Sequence, residues 1–432
     1  MMLIRDFINL KHPLCLVADD LDWGMLEREL GAYYCEDDGR PGKPIRLMAG
    51  LMYLKSVYEL SDEDVLAFLR ENPYWQYFCG FVYFQKDIDL DSSSLTRFRK
   101  RLGEGGLDLL NKAILDRAID HKYLKSQQLS RVNIDTTVMS KDIKYPTDVD
   151  LYYDMLELLV RRAKAEGIEL RQSYKRVSKE ELLYSKRAAH RRHFKEASRH
   201  KRKLRTYLGR VTREIERKLP VMDEEWERLL SLSERVLRQS RDSKDKVYSV
   251  YEPQVYCVNK GKSSPKYEFG CKVAVVSTIK DSWVVGVHTM VKNEHDSKAL
   301  EPALTSMGIL TGRLPDYAVV DRGFRGRTTI GETEIILPKP KRDLSDKVFK
   351  WVKERSRIEA IISHLKNDHH LGRNLLKGVI GDLLNPRLSV IGWNLKKLMR
   401  KLLFVLKIIL RILRVDIEYF EISLSLQPLN SQ

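Results

Sequence analysis

From residue 43 the apolar positions fall at helical spacing. Ile45, Leu47, Met48, Leu51, Met52 and Leu54 share a face, and Gly50 is tolerated within it. Before that, residues 1–40 show no clear period and read as irregular, closing on an acidic Gly/Pro linker at residues 36–42. Ser61, followed by Asp62, Glu63 and Asp64, opens a second helix with Val65, Leu66 and Leu69 inward. Seven aromatics between Tyr74 and Phe84 have no Lys or Arg among them and read as core. Ser92–Ser94 cap a third helix whose Leu95, Phe98 and Leu102 face inward while Arg97, Arg99, Lys100 and Arg101 face out. A short basic helix after two others is what a helix-turn-helix reader offers to a DNA groove.

The texture changes at Ser130. Residues 131–138 (RVNIDTTV) alternate and are β-branched, which predicts a strand carrying Asp135, and Pro146 ends that unit. Helical patterning runs from Leu151 to about Arg241, with one or two long helices between Val177 and Lys218. Strand patterning returns at residues 247–258, 267–278 and 282–290. A helix over 297–307 follows, capped by Asp296 or Ser297. Residues 317–321 (YAVVD) predict a short buried strand ending on a carboxylate, turned by Gly323 and Gly326. Another strand covers 334–337, and a helix covers 353–366.

Charge sharpens this picture. The chain has 432 residues, 43% hydrophobic and 32% charged, as expected for two or three globular domains. Its net charge is +17, and residues 161–220 hold 21 Lys/Arg against 7 Asp/Glu, so 14 of the 17 excess charges sit in one segment. Such a lopsided segment points to a polyanionic partner, with Arg191, Arg192, Lys201, Arg202, Lys203 and Arg205 as candidate phosphate contacts. Five scattered cysteines without a CxxC pair fit reduced thiols of a cytoplasmic protein, and the N-terminus lacks a signal-peptide core. The tract from 395 to 414 is apolar but interrupted by Lys396, Lys397, Arg400, Lys401, Lys407 and Arg411, and it ends on Arg414. It is too interrupted to span a membrane and reads as a basic amphipathic helix packed on the protein or lying against DNA, a membrane surface being the less favoured place, and no membrane partner is expected.

Three carboxylates occupy telling places: Asp135 on the first strand, Asp321 at the end of a later one, and Glu359 on the following helix. In a helical stretch Arg355, Glu359 and Lys366, spaced 4 and 7 apart, would share one stripe. Strand ends and neighbouring helix starts converge in a layered sheet, so the three can meet. Oxygen ligands of this kind suit Mg²⁺ or Mn²⁺ rather than zinc, and two such ions can drive phosphodiester chemistry. Asp142, Asp148 and Asp150 read as caps. His364, His369 and His370 lack metal-ligand spacing and read as solvated or phosphate-facing, and no GxSxG elbow supports a serine hydrolase.

These motifs together resemble the DDE transposases of bacterial insertion sequences, in the InsH-like "insertion sequence five" branch. NIDTT (133–137) is similar to the first-Asp motif and VVDRGFRG (319–326) to the second. Arg355, Glu359 and Lys366 match the related Tyr-Arg-Glu-Lys signature, with Val352 where its Tyr would stand. KPIRLMAGL, ELSDEDV, SLTRFRKRLG, GRNLLKG and GDLLNPRLSVIGWNLKKL extend the resemblance over roughly residues 40–400. It implies a mixed α/β fold with a ribonuclease-H-like catalytic core at 126–150 and 245–375. A helical N-terminal DNA-binding domain would span 1–125, a basic helical insertion 151–244 and a C-terminal helical segment 376–432. It further implies Asp135, Asp321 and Glu359 as ligands of two Mg²⁺ or Mn²⁺ ions, and Arg355 and Lys366, helped by Arg322 and Arg325, on phosphate. Water or a DNA 3′-hydroxyl would be the nucleophile, and a homodimer would hold double-stranded DNA bearing terminal inverted repeats. The alternatives are a ribonuclease-H-like nuclease without strand transfer and a transposase-derived DNA-binding regulator.

Overall fold

A computed structural model describes residues 2–34, 42–219, 221–259 and 266–412. The linker expected at 36–42 lies outside them but for Gly42, as do Cys35 and the end of the chain from 413. The segment expected to be irregular contains two helices, α1 (Pro13–Asp20) and α2 (Trp23–Gly31). Pro13 stands in the first turn of α1, where its missing N–H is not needed, and His12 and Asp22 accept from the amides of Leu14 and Met25. Helices this short hold too few apolar positions to declare a period. Then come α3 (Ile45–Tyr58), α4 (Asp62–Glu71), α5 (Pro73–Phe78), α6 (Ser92–Asp120) and α7 (Ser126–Leu129). Ser61 caps α4 as expected, whereas Asp91 rather than the serines caps α6. Gly103, at φ +58°, breaks α6 just past its basic turn.

Strand β1 (Arg131–Lys141) is followed by α8 (Asp148–Ala165), α9 (Lys175–His190), α10 (Phe194–Lys218), α11 (Glu224–Arg238) and β2 (Tyr256–Val258). Only these last three residues of the strand expected at 247–258 form one. Next are β3 (Glu268–Thr278), β4 (Val284–Met290), α12 (Leu300–Thr311), β5 (Tyr317–Val319), β6 (Thr329–Ile330) and β7 (Thr333–Ile336). The chain continues through α13 (Asp346–Glu354), α14 (Arg357–Asp368), β8 (Arg373–Asn374) and α15 (Gly378–Ile412).

The chain divides into two compact units, one of residues 1–139 and 272–432, the other of 140–271. In the first, an open mixed sheet places β1 between β3 and β5. β4 pairs antiparallel with β3, β5 runs parallel to both β1 and β7, and β6 closes the edge antiparallel to β7. One sheet face, with Val132, Ile134, Ala318, Val320 and Ile335, joins the helices in a single core reaching from Leu14 to Leu398. The helices expected as an N-terminal domain therefore share their core with the sheet. α15 contributes Leu384, Leu388, Ile391, Leu395 and Leu398 at alternating spacings of four and three, a stripe facing that core. The other sheet face is covered by α13, with Val319, Ile336 and Trp351 in contact.

The second unit is a bundle of α8–α11 around Leu156, Leu159, Leu204, Leu208, Trp226 and Leu229. Arg162 pairs with Glu166, Asp223 and Glu225 and lies 4.8 Å over Trp226. Among the described residues no helix is long and apolar enough to cross a membrane.

Candidate active site

The parallel register of β1 and β5 brings two of the carboxylates together. Asn133 is paired with Val319, the last residue of β5, so Asp135 lies two residues beyond that pair within β1 and Asp321 two residues beyond it, just past the end of β5. Side chains alternate along strands, which puts Asp135, like Asn133, on the face that α13 covers, and the backbone leads into Asp321 from Val319 on that same face. Thr136 donates its amide to Asp135 Oδ1 at 2.8 Å. Asp321 caps the 3₁₀ turn Arg322–Phe324 by accepting from the Arg322 amide, and Phe324 anchors that turn in the core.

The helix expected at 353–366 is two helices, broken at Arg355–Ser356, so the single-stripe geometry does not apply. The carboxylate–arginine–carboxylate grouping forms nonetheless. Arg355 lies 3.4 Å from Asp135 Oδ2 and 3.3 Å from Glu359 Oε1, and so links the first strand to the first turn of α14. Its side chain is 17% exposed and that of Glu359 62%.

Alternate residues of β1 hold this arrangement in place. Arg131 pairs with Glu354 at 3.1 Å and lies 4.5 Å over Trp351, whose ring also meets Tyr317 at 5.0 Å. Burial pushes the Arg131 guanidinium below its usual range, and Glu354 opposes that shift. Buried Asn133 donates to the Glu354 carbonyl at 3.3 Å, satisfying the end of α13 one residue before Arg355. These residues carry no catalytic signature. Only their spacing of two with Asp135 ties them to it in the sequence.

Of the remaining candidates, Lys366 is half-buried on α14, and Arg322 and Arg325 are exposed beside Asp321. Lys100 is exposed, as is Arg97, which donates to Ser93 Oγ. Arg101 stacks 4.4 Å from the Tyr34 ring. Arg99 departs from the expected outward face: it is 5% exposed and binds Asp62 through two contacts of 2.6 Å, because the inner face of its helix meets α4 there. In the second unit Arg191, Arg192 and Arg202 are exposed. Lys201 pairs with Asp148, Lys203 with Glu181, and Arg205 donates to the Leu237 carbonyl. His369 is buried against Trp393 and so is not a solvated contact, whereas His370, which bonds the Glu59 carbonyl, and His364, which pairs with Asp368, are exposed.

Among the described residues no three acidic, histidine or cysteine side chains are gathered closely enough to hold a metal by themselves. The donor set still fits a magnesium-type ion, which takes one or two carboxylates and completes its shell with water and substrate phosphate. Asp135 and Asp321 are the carboxylates that would supply that pair. The Arg355 guanidinium lies between Asp135 and Glu359.

The site thus draws Asp135 from within β1, Asp321 from just past β5 and Glu359 from the first turn of α14, in a chain of net charge +17. The chain belongs to a transposase family. Residues 2–101 match the model described as "Transposase domain (DUF772)". The chain is also 46% identical over 187 residues to "Uncharacterized protein ORF8 in nfe locus" of Rhizobium meliloti, across 43% of this chain and 90% of that protein. No solved structure matches.

Proposed function

We propose that the protein is a DDE-type, metal-dependent DNA transposase that cleaves at the terminal inverted repeats of its element and joins the ends to target DNA. The observation that carries this reading is the parallel pairing of Asn133 with Val319, two residues before Asp135 and Asp321, together with Arg355, which contacts both Asp135 and Glu359. The strand order β4-β3-β1-β5-β7, with β4 antiparallel to β3 and β1, β5 and β7 parallel, supports a ribonuclease-H-like core.

Asp135, Asp321 and Glu359 would hold Mg²⁺ or Mn²⁺, which when bound polarises the phosphate and activates water or a 3′-hydroxyl. Arg355 and Lys366 orient the scissile or flanking phosphate. An arriving phosphate competes with the two carboxylates for the Arg355 fork, whose planar donors suit either partner. Arg322 and Arg325 lie beside Asp321 and extend the phosphate track. Arg97, Lys100 and Arg101 on α6, with the exposed arginines of the second unit, contribute sequence-independent affinity for double-stranded DNA. A homodimer holds two ends at once, and the protein works at bacterial chromosomal DNA.

The test is cleavage of end-bearing duplex by the purified chain with Mg²⁺ or Mn²⁺. Asp135→Asn, Asp321→Asn and Glu359→Gln each lose cleavage while still shifting the duplex in a gel. Wild-type cleavage by any of the three overturns the assignment. Cleavage without joined products in a strand-transfer assay moves the protein to the nuclease class.

A further inference from the structure

Behind the candidate site lies a fourth carboxylate. Asp296 belongs to the 3₁₀ turn Asp296–Ala299 before α12, where it would ordinarily serve as a cap, but His295 is the cap there, accepting from the Ser297 amide. The Asp296 side chain is turned to the sheet instead. Its Oδ2 accepts from Thr136 Oγ1 at 2.9 Å and its Oδ1 from Lys272 Nζ of β3 at 2.9 Å. The same Oδ2 stands 3.7 Å from where a Cβ of Gly323 would be, in the turn that Asp321 caps.

Alternation along β1 points Thr136 to the face opposite Asp135. Asp296 therefore does not face the reacting side. It touches the backs of both carboxylate-bearing segments: the residue whose amide holds Asp135 Oδ1, and the turn whose first amide is bonded by Asp321. The Lys272 ammonium is the counter-ion of this carboxylate, whose side chain is 25% exposed. A counter-ion for Lys272 alone would have no need of the Thr136 hydroxyl or of a position beside Gly323.

We infer that Asp296, acting through Thr136 and the Gly323 turn, is a positioning residue that sets the separation and orientation of Asp135 and Asp321. This rests on the reading of those two as metal ligands, and partners of this kind typically govern metal affinity as strongly as the ligands' own orientation does.

The experiment titrates Mn²⁺ into the full chain bound to end-bearing duplex, with free Mn²⁺ followed by electron paramagnetic resonance. Thr136→Val and Asp296→Ala each weaken Mn²⁺ binding by about 10–100-fold, while Thr136→Ser, which keeps the hydroxyl, restores it. The Thr136→Val/Asp296→Ala double variant binds no more weakly than the worse single one, because both remove the same link. DNA affinity without metal stays at the wild-type level throughout. Asp135→Asn, measured alongside, separates the two ideas. If it weakens Mn²⁺ binding while Thr136→Val and Asp296→Ala stay within about twofold of wild type, the positioning role is overturned and the site reading stands. If Asp135→Asn binds Mn²⁺ normally, the site reading falls and this inference with it. Thr136→Ser binding as weakly as Thr136→Val also overturns the role of the hydroxyl.

Discussion

Gly392 shows how a single residue sets a helix crossing. It sits where α15 passes α3, and an added Cβ would fall inside the contact surface of the Ser56 carbonyl and 2.8 Å from His369 Nδ1. Gly392→Ala is expected to cost about 1–3 kcal/mol or more, read from urea unfolding, because two packed helices must move apart. His369 in that crossing and His12 at the start of α1 are both held low by burial, each to about 4. Their neutral forms are the folded ones, and His12 must stay unprotonated to accept the Leu14 amide. A depressed histidine stabilises the fold above its unfolded pKa near 6.5, and that contribution is lost as pH falls from about 6.5 toward 4. Stability should therefore decline over that window, and His369→Gln should flatten the decline if thermal unfolding is followed across it. The sequence offered no sign of either effect, since a histidine's burial depends on which helix crosses it.

Among the elements, α6 carries the clearest contrast between an expected face and an observed one. Arg97, Arg99, Lys100 and Arg101 look alike in sequence, yet Arg99 joins α6 to α4 through Asp62, which also pairs with Lys55 at 3.0 Å. The ion pair holds the Asp62 carboxyl below its usual range despite burial. Arg99→Ala should destabilise the protein by up to about 3–5 kcal/mol, less whatever Lys55 recovers. Lys100→Ala should leave the unfolding midpoint unchanged and weaken DNA binding. Equal effects from the two would contradict the separation of roles. Helix periodicity placed α3, α4, α10 and the basic turn of α6 well, because long apolar stripes outvote local exceptions. It missed α1 and α2, too short to show a stripe, and the break at Arg355–Ser356, where no Pro or Gly marks the interruption.

At the scale of the whole molecule, charge is concentrated in the second unit, whose own apolar core leaves its basic surface outward. Not all of those cations are equally available. Reversing Arg191, Arg192 and Arg202, which are exposed, should lower the log–log salt slope of DNA binding by about 0.9 for each phosphate that is no longer neutralised. Reversing Lys201 and Lys203, already paired with Asp148 and Glu181, should change it less. An unchanged slope in the first set would assign that surface to another role. The sequence by itself determined the helical and strand texture, the basic excess and the three acidic residues, because these depend on local spacing and composition. Only the tertiary structure decided that the segments leading to Asp135 and Asp321 pair side by side, that Arg355 bridges from a helix break, that Arg99 turns inward and that Asp296 touches Thr136 and the Gly323 turn. Those facts arise where segments distant in sequence pack side by side, and no local pattern in the chain records such a meeting.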